Sequence, residues 1–233
     1  MVMALTDTLC LTLYERGLSR HAIDRALLLA TSADATVDWA DQPLGRRDAC
    51  LLNLRCAWFG PRFEAVLACP RCQQLLELAI DLRDISARAP THSLSDDIQV
   101  AGGRFRPPTA RDLAAITTEP NAALATQHLL RRLRLDGPAA TAWTDDETQA
   151  IEDAIDSADP LAHISLAVGC EHCGHGWQAP LDIAASLWDE LAALAQDVVA
   201  QVHELASAYG WSERDILAMP ATRRALYLQQ VRA

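Results

Sequence analysis

The chain has 233 residues, half of them apolar, and 20 basic against 31 acidic residues give a formal net charge of −11. All 20 basic residues are arginine, which excludes Schiff-base chemistry and a phosphate-loop lysine, and with them pyridoxal-phosphate enzymes and ordinary P-loop NTPases. The acidic balance argues against a surface that follows duplex DNA or anionic lipid, because phosphate binding depends on clustered positive charge.

The length predicts a globular chain made of one elaborated domain or two small ones. No apolar run reaches the ~18–20 residues needed to span a bilayer, so membrane insertion is not expected. The first residues lack the charged and apolar regions of a secretion signal, and the seven cysteines are an odd number. We therefore expect a cytoplasmic protein without a complete disulfide framework.

Residues 1–60 are predicted to form a helical segment. Apolar positions recur with helical periodicity from about Leu5 to Ser32, and Arg46 to Trp58 form a second predicted helix that ends at Gly60-Pro61.

Two C-x-x-C pairs follow, Cys69-Pro-Arg-Cys72 and Cys170-Glu-His-Cys173. Each turn of this type points two sulfurs at one position and lets nearby backbone N–H groups donate to them. Two turns therefore supply the tetrahedral four-thiolate shell that zinc accepts. The sequence predicts one structural Zn²⁺ per chain, bound by Cys69, Cys72, Cys170 and Cys173.

The segments beside the two pairs have strand-like patterns. Phe63–Ala68 and His163–Val168 precede the pairs, and Leu75–Leu82 and Trp177–Leu181 follow them, as in a zinc ribbon. A compact ribbon has about 15–20 residues between its two pairs, whereas 97 residues separate Cys72 from Cys170. We therefore expect a zinc-ribbon module over residues 61–182 with a large insertion at 83–160.

Other uses of these cysteines are less consistent with the pattern. A redox dithiol favours a βαβ context with the active cysteine at the start of a helix, and four thiolates leave no open position for a catalytic zinc-bound water. His172 or His175 could replace a cysteine as ligand, although four thiols already complete the shell. Three more cysteines have no partner spacing and are interpreted as small buried residues, namely Cys10, Cys50 and Cys56.

The insertion begins with a polar stretch, Asp84 to Asp97, and continues with a predicted hairpin from Ile98 to Arg106. Three helices are predicted next: a short one after Thr109, one over Asn121–Leu135, and one over Thr144–Asp159. The last of these carries seven carboxylates, interpreted as a solvated face, and the arginines at 131, 132 and 134 are interpreted as capping or solvating residues.

Residues 183–233 are predicted to be helical. A long amphipathic helix starts after Asp182 and stops at Gly210, a short helix starts at Ser212, and another runs from Pro220 to Tyr227-Leu228. His203-Glu204 matches half of a zincin motif, but position 207 is serine, so the second histidine ligand is missing. The overall prediction is an α+β fold, mainly helical and built around the small zinc-ribbon module.

Several phrases distributed over the chain resemble one protein family. They are Cys69-Pro-Arg-Cys72, Phe105-Arg-Pro-Pro-Thr-Ala-Arg-Asp-Leu113, Ala158-Asp-Pro-Leu161, Cys170-Glu-His-Cys-Gly-His-Gly-Trp177, Leu187-Trp-Asp-Glu190, and Ala208-Tyr-Gly-Trp-Ser-Glu-Arg-Asp-Ile-Leu217 followed by Arg223-Arg224 and Tyr227-Leu228. In these phrases the chain is similar to baseplate proteins of contractile phage tails and of phage-tail-like contractile injection systems. The C-terminal phrase is the more specific part, since the cysteine pairs occur in many zinc ribbons.

The resemblance implies a non-enzymatic component that assembles or forms part of a baseplate or its hub. It implies other baseplate, hub or tail-tube subunits as partners and no catalytic residues. It also implies a cytoplasmic location during assembly, and leaves open whether the protein stays in the assembled particle. Arginine and the six tryptophans suit interface cores. The cysteine pairs alone would also suit a zinc-ribbon adaptor or regulator that binds nucleic acid or a cellular protein. A zinc deaminase has little support, because the chain contains no H-x-E.

Overall fold

The computed structural model describes residues 4–87, 97–136 and 143–232, and it has the predicted α+β composition. The helices are α1 (Asp7–Gly17), α2 (Ala22–Ala33), α3 (Leu44–Phe59), α4 (Leu82–Ser86), α5 (Ala110–Ile116), α6 (Ala122–Leu133), α7 (Asp145–Ala158), α8 (Ile183–Tyr209), α9 (Glu213–Leu217) and α10 (Ala221–Arg232). The strands are β1 (Arg62–Ala68), β2 (Leu75–Asp81), β3 (Ile98–Val100), β4 (Gly103–Phe105), β5 (Arg134–Asp136), β6 (Ser165–Gly169) and β7 (Gly176–Pro180).

The strands form three small antiparallel sheets. Two are two-stranded hairpins, β1–β2 and β6–β7, whose last strand pairs before the turn are Ala68 with Leu75 and Gly169 with Gly176. The third has the order β3-β4-β5 and includes the predicted hairpin. Each cysteine pair thus lies in the turn of its own hairpin.

Several element boundaries differ from the predictions. The first helical stretch is two helices, α1 and α2, and the bend between them is closed by the Arg25 guanidinium, which donates to the Gly17 and Leu18 carbonyls. The helix predicted to reach Leu135 ends at Leu133, because the next three residues pair with β4.

Two further boundaries were missed at the ends of predicted segments. The start of the predicted polar stretch is helix α4, capped by Asp81, and residues 88–96 of that stretch lie outside the described residues. Helix α10 continues past Leu228 to Arg232, whose guanidinium pairs with Glu204 on α8.

The main hydrophobic core lies where the first half of α8 packs against α1, α2 and α3. Trp188 stacks on Tyr14 and lies so close to Gly17 that a Cβ there would be 2.3 Å from its ring. Cys10 is fully buried, and its thiol donates to the Leu191 carbonyl. This confirms the interpretation of Cys10 as a buried residue, while Cys50 and Cys56 are half-buried against the same core.

Arg55 joins this core to the first hairpin. The residue is 4% exposed, and its guanidinium pairs with both carboxylate oxygens of Glu190 on α8, at 2.7 and 3.0 Å. The same guanidinium donates to the Gly60 and Arg62 carbonyls where the chain enters β1. One buried cation therefore fixes α3, α8 and the start of the hairpin relative to one another.

The insertion has a core of its own, and a third cluster lies at the C-terminus. In the insertion, α6 and α7 pack on β3 and β4 through residues that include Phe105, Leu133 and Ile151. At the C-terminus, Leu205, Ile216 and Leu228 join the end of α8 to α9 and α10. In the described parts of the chain, no helix combines the length and the apolar character needed to cross a membrane.

Asp159 connects the end of α7 to the start of α3. Its carboxylate accepts the Gly45 N–H at 2.9 Å, and nearby the Leu44 N–H donates to the Pro108 carbonyl. Asp159 is 1% exposed, and burial raises the pKa of its carboxyl group, against the lowering effect of the Gly45 N–H. The approach is possible because residue 45 has no side chain.

Gly45→Ala should therefore weaken the attachment of the insertion. A Cβ at position 45 would lie 1.8 Å from Asp159 Oδ1 and 3.0 Å from the Ala162 nitrogen. We expect the free energy of unfolding, measured by urea denaturation, to fall by about 1–3 kcal/mol, as at other overpacked sites. Gly169→Ala is the control, since its Cβ would meet no atom within 4 Å. Equal losses in both variants would contradict this account of Gly45.

Candidate metal centre

The first cysteine turn, residues 69–74, joins β1 to β2 through two backbone hydrogen bonds. The Cys69 N–H donates to the Gln74 carbonyl at 2.9 Å, and the Gln73 N–H donates to the Cys69 carbonyl at 2.8 Å. Gln73 closes the turn with φ +62°, in the left-handed region. That conformation reverses the chain and directs both cysteine side chains to one side of the turn.

The second turn, residues 170–175, repeats this geometry between β6 and β7. The Cys170 N–H donates to the His175 carbonyl at 2.9 Å, the Gly174 N–H donates to the Cys170 carbonyl at 2.8 Å, and Gly174 has φ +69°. Residues 69–74 and 170–175 are therefore equivalent position by position. They differ at the left-handed residue, which is glutamine in the first turn and glycine in the second.

The two turns bring all four predicted ligand sulfurs together. The four Sγ atoms lie within 4.8 Å of one another, with Cys69 3.8 Å from Cys173 and Cys72 3.7 Å from Cys170. Four sulfurs at the zinc–thiolate distance of about 2.3 Å from a common centre form a tetrahedron with edges of about 3.8 Å. The cluster has the donors and the spacing to bind a metal ion.

Burial and backbone donors favour a metal in this cluster. Cys69 and Cys170 are buried, and Cys72 and Cys173 are partly exposed. Burial opposes ionisation of Cys69, but the backbone N–H groups of Cys72 and Arg71 donate to its sulfur and lower its pKa to about 7. The Gln74 N–H lowers the pKa of Cys72, yet burial and the neighbouring thiols together raise it to about 12.

The two shifts have different causes: backbone N–H donors lower the pKa of Cys69, whereas burial and the neighbouring thiols raise the pKa of Cys72. Four thiolates in contact repel one another unless a cation compensates their charge. A divalent ion removes this conflict, and four thiolates then fill a tetrahedral shell. Such a shell leaves no position for a reactive water, so the arrangement suits a structural metal.

The histidines beside the second turn do not join the cluster. His172 is exposed, and His175 is half-buried with its ring stacked on Trp177 at a centroid distance of 6.0 Å. Among the described residues, the four cysteines form the one group of metal-ligand side chains close enough to share an ion.

The other charged motifs have structural partners. Thr144 and Glu147 form a capping box at the start of α7, which accounts for the Glu147 carboxylate. Arg132 pairs with the buried Asp112, and Arg134 lies over the Trp143 ring. Glu204 of the half-zincin motif pairs with Arg232.

Sequence reasoning missed two features that position the site. One is the buried pair of Arg55 with Glu190, whose members are 135 positions apart and carry no local signal. The other is the left-handed conformation of Gln73. Aligning the two cysteine turns would have shown it, because Gln73 then occupies the same position as Gly174. No family model matches the chain, and neither a curated protein nor a solved structure shows significant similarity to it.

The left-handed positions give a matched pair of variants. Gly174→Ala should lower the free energy of unfolding by about 1–2 kcal/mol, the cost of a Cβ in the left-handed region, because no neighbouring atom lies within 4 Å to add a clash. Gln73→Gly should raise it by up to about 1 kcal/mol, since strain is removed at some cost in chain entropy.

The stability of both variants is measured by urea denaturation, with Gly176→Ala as the control. Gly176 is two residues from Gly174 and lacks a positive φ, and its Cβ would make only an ordinary contact at 3.9 Å. Destabilisation by Gln73→Gly, or no difference between the two glycine-to-alanine variants, would contradict the proposed strain.

Proposed function

We propose that this protein is a non-enzymatic structural or assembly component of the baseplate of a contractile phage tail or phage-tail-like injection system, stabilised by one structural Zn²⁺. The observation that carries the proposal is the four-sulfur cluster, which is suited to a closed metal shell and has no open coordination position. Its partners are other baseplate, hub or tail-tube subunits. It acts in the cytoplasm during assembly, either as an assembly factor or as a subunit that stays in the assembled particle.

The choice of zinc follows from the ligand set. Tetrahedral thiolate sites bind zinc or iron. Zinc has no redox chemistry and no geometric preference of its own, so it fits a structural tetrahedral site. The hairpins β1–β2 and β6–β7 then form the two halves of a zinc ribbon. The metal holds them together across the 97 residues between Cys72 and Cys170.

The baseplate assignment is supported by the resemblance of the distributed phrases. Several of these phrases contain residues that make long-range contacts in the structure: Asp112 pairs with Arg132, Asp159 accepts the Gly45 N–H, and Glu190 pairs with Arg55. The phrases thus include residues that position the hairpins and the insertion. This is consistent with a family whose shared residues stabilise the fold.

The C-terminal phrase also carries an aromatic cluster. The rings of Tyr209 and Trp211 stack at 4.5 Å, and Tyr227 lies edge-on to Trp211 at 4.8 Å. Tyr209 is 40% exposed. Partly exposed tyrosine and tryptophan side chains are favoured in protein–protein interfaces, which fits a protein whose work is to contact other subunits.

The metal proposal predicts about one zinc per chain in reduced, purified protein, measured by elemental analysis. Cys69→Ser should lose the zinc and unfold at a lower urea concentration, because binding free energy is also folding free energy for such sites. Cys56→Ser is the control, since Cys56 is half-buried and lies outside the cluster. A folded, reduced sample with no zinc, or with iron in its place, would overturn the assignment.

The baseplate proposal predicts that the tagged chain, co-expressed with the baseplate, hub and tail-tube subunits encoded beside it, retains at least one of them through high-salt washing. The control bait is an unrelated zinc-ribbon protein of similar charge. Absence of the chain from both the mature particle and every assembly intermediate would refute the proposal. Salt-dependent binding to DNA or RNA would instead favour an adaptor or regulator, and the net charge of −11 predicts none.

A further inference from the structure

Within the four-sulfur cluster, two contacts each cross from one hairpin to the other and together include every sulfur once. Cys69 is paired with Cys173 at 3.8 Å, and Cys72 with Cys170 at 3.7 Å. Because the two turns are equivalent, each pair joins the first cysteine of one turn to the second cysteine of the other. The two pairs are therefore alike and share no atom.

Each pair also combines one buried and one partly exposed cysteine. Cys69 is fully buried and Cys170 is 3% exposed, whereas Cys72 and Cys173 are partly exposed. A small oxidant from solvent meets the accessible sulfur first, and the buried partner lies next to it as the resolving thiol. A disulfide needs an S–S distance of about 2.05 Å, so each pair must close by less than 2 Å.

We infer that hydrogen peroxide converts the metal clamp into a covalent clamp made of two disulfides, Cys72–Cys170 and Cys69–Cys173. The inference rests on the proposed zinc site and deepens it. In each pair, the accessible thiolate attacks peroxide to give a sulfenic acid and water. The buried thiolate then attacks that sulfur and expels a second water as the disulfide forms.

The overall reaction balances with peroxide as the only oxidant. One Zn²⁺ bound by four thiolates, two peroxides and four protons give two disulfides, free Zn²⁺ and four waters. Four electrons pass from sulfur to oxygen, and the zinc ion keeps its charge.

Pairing within a turn would leave the two hairpins unlinked. The sulfur contacts at 3.8 and 3.7 Å both cross from one turn to the other, so the cross pairs are already in place for bond formation. A Cys69–Cys72 disulfide would break this arrangement and release the hairpins, whereas the cross pairs keep them joined.

The remaining cysteines do not compete for the oxidant. Burial raises the pKa of the Cys10 and Cys50 thiols to about 11, so these groups stay protonated and poorly nucleophilic. Burial also raises the pKa of Cys56. Oxidation is therefore concentrated in the cluster.

The sequence allows a direct test by peptide mapping. Trypsin cleaves after Arg71, between Cys69 and Cys72, and a glutamate-specific protease cleaves after Glu171, between Cys170 and Cys173. A double digest places the four cysteines on four peptides: 65–71, 72–77, 153–171 and 172–190. Zinc-loaded protein is treated with two equivalents of hydrogen peroxide, alkylated, digested and analysed by mass spectrometry.

The expected disulfides join peptide 65–71 to peptide 172–190 and peptide 72–77 to peptide 153–171. One zinc ion should be released for every two peroxides consumed, as measured with a chromogenic chelator. The oxidised, zinc-free protein should keep a melting temperature within a few degrees of the zinc-loaded form, and reduced, chelated protein should melt clearly lower. Links within a turn, links between the two buried cysteines, or sulfinic and sulfonic acids in place of disulfides would overturn the inference.

A pair of double variants supplies an independent readout. Cys72→Ser with Cys170→Ser leaves one intact cross pair, while Cys69→Ser with Cys72→Ser leaves only the two cysteines of the second turn. Peroxide should form a disulfide at least tenfold faster in the first variant, and equal rates would count against the inference. Zinc content of the unsubstituted protein is measured before oxidation: unsubstituted protein without zinc refutes the proposed site, whereas zinc-loaded unsubstituted protein with the wrong links refutes this inference alone.

Discussion

The contact among four cysteine sulfurs is the constraint that joins the two cysteine-bearing hairpins, β1–β2 and β6–β7. Each hairpin has two strands, and an isolated two-stranded hairpin is at best marginally stable in water. In the first hairpin, Val66 and Leu75 near the turn are more than 60% exposed, so burial supplies little stabilisation there. The turns must therefore be held by their own hydrogen bonds and by what the sulfurs bind.

The helical part is held by a different set of interactions, and arginine is central to them. The Arg55 guanidinium pairs with Glu190 and also donates to two carbonyls, at Gly60 and Arg62. Arg224 pairs with Asp7 at 2.6 Å, and its Nε–H donates to the Gln201 side-chain oxygen. A planar group with five donors can make several such bonds at once, whereas an ammonium group offers a point charge. The absence of lysine thus agrees with the way these buried contacts are built.

The sequence was informative wherever the signal was local. The cysteine spacing identified the four clustered residues, and caps such as Asp182 and Thr144 located the starts of α8 and α7. Long-range contacts carried no such signal, because nothing near Arg55 or Gly45 in sequence indicates Glu190 or Asp159. The end of α6 was misplaced for the same reason: its last predicted residues pair with β4, a preference set by tertiary structure.

The sulfur cluster and the helical core stabilise different parts of the molecule. The main core is formed by α1, α2, α3 and the first half of α8, with Phe63 and Ile80 as contacts from the first hairpin. The cysteine turns lie at the far end of β1 and β2, beyond these contacts. If the cluster binds zinc as proposed, removing the ion loosens the ends of the hairpins first, because Arg55 still holds the start of β1 against the core. The ion would then act on how the hairpins are joined, whereas the contacts of the helical core do not involve it.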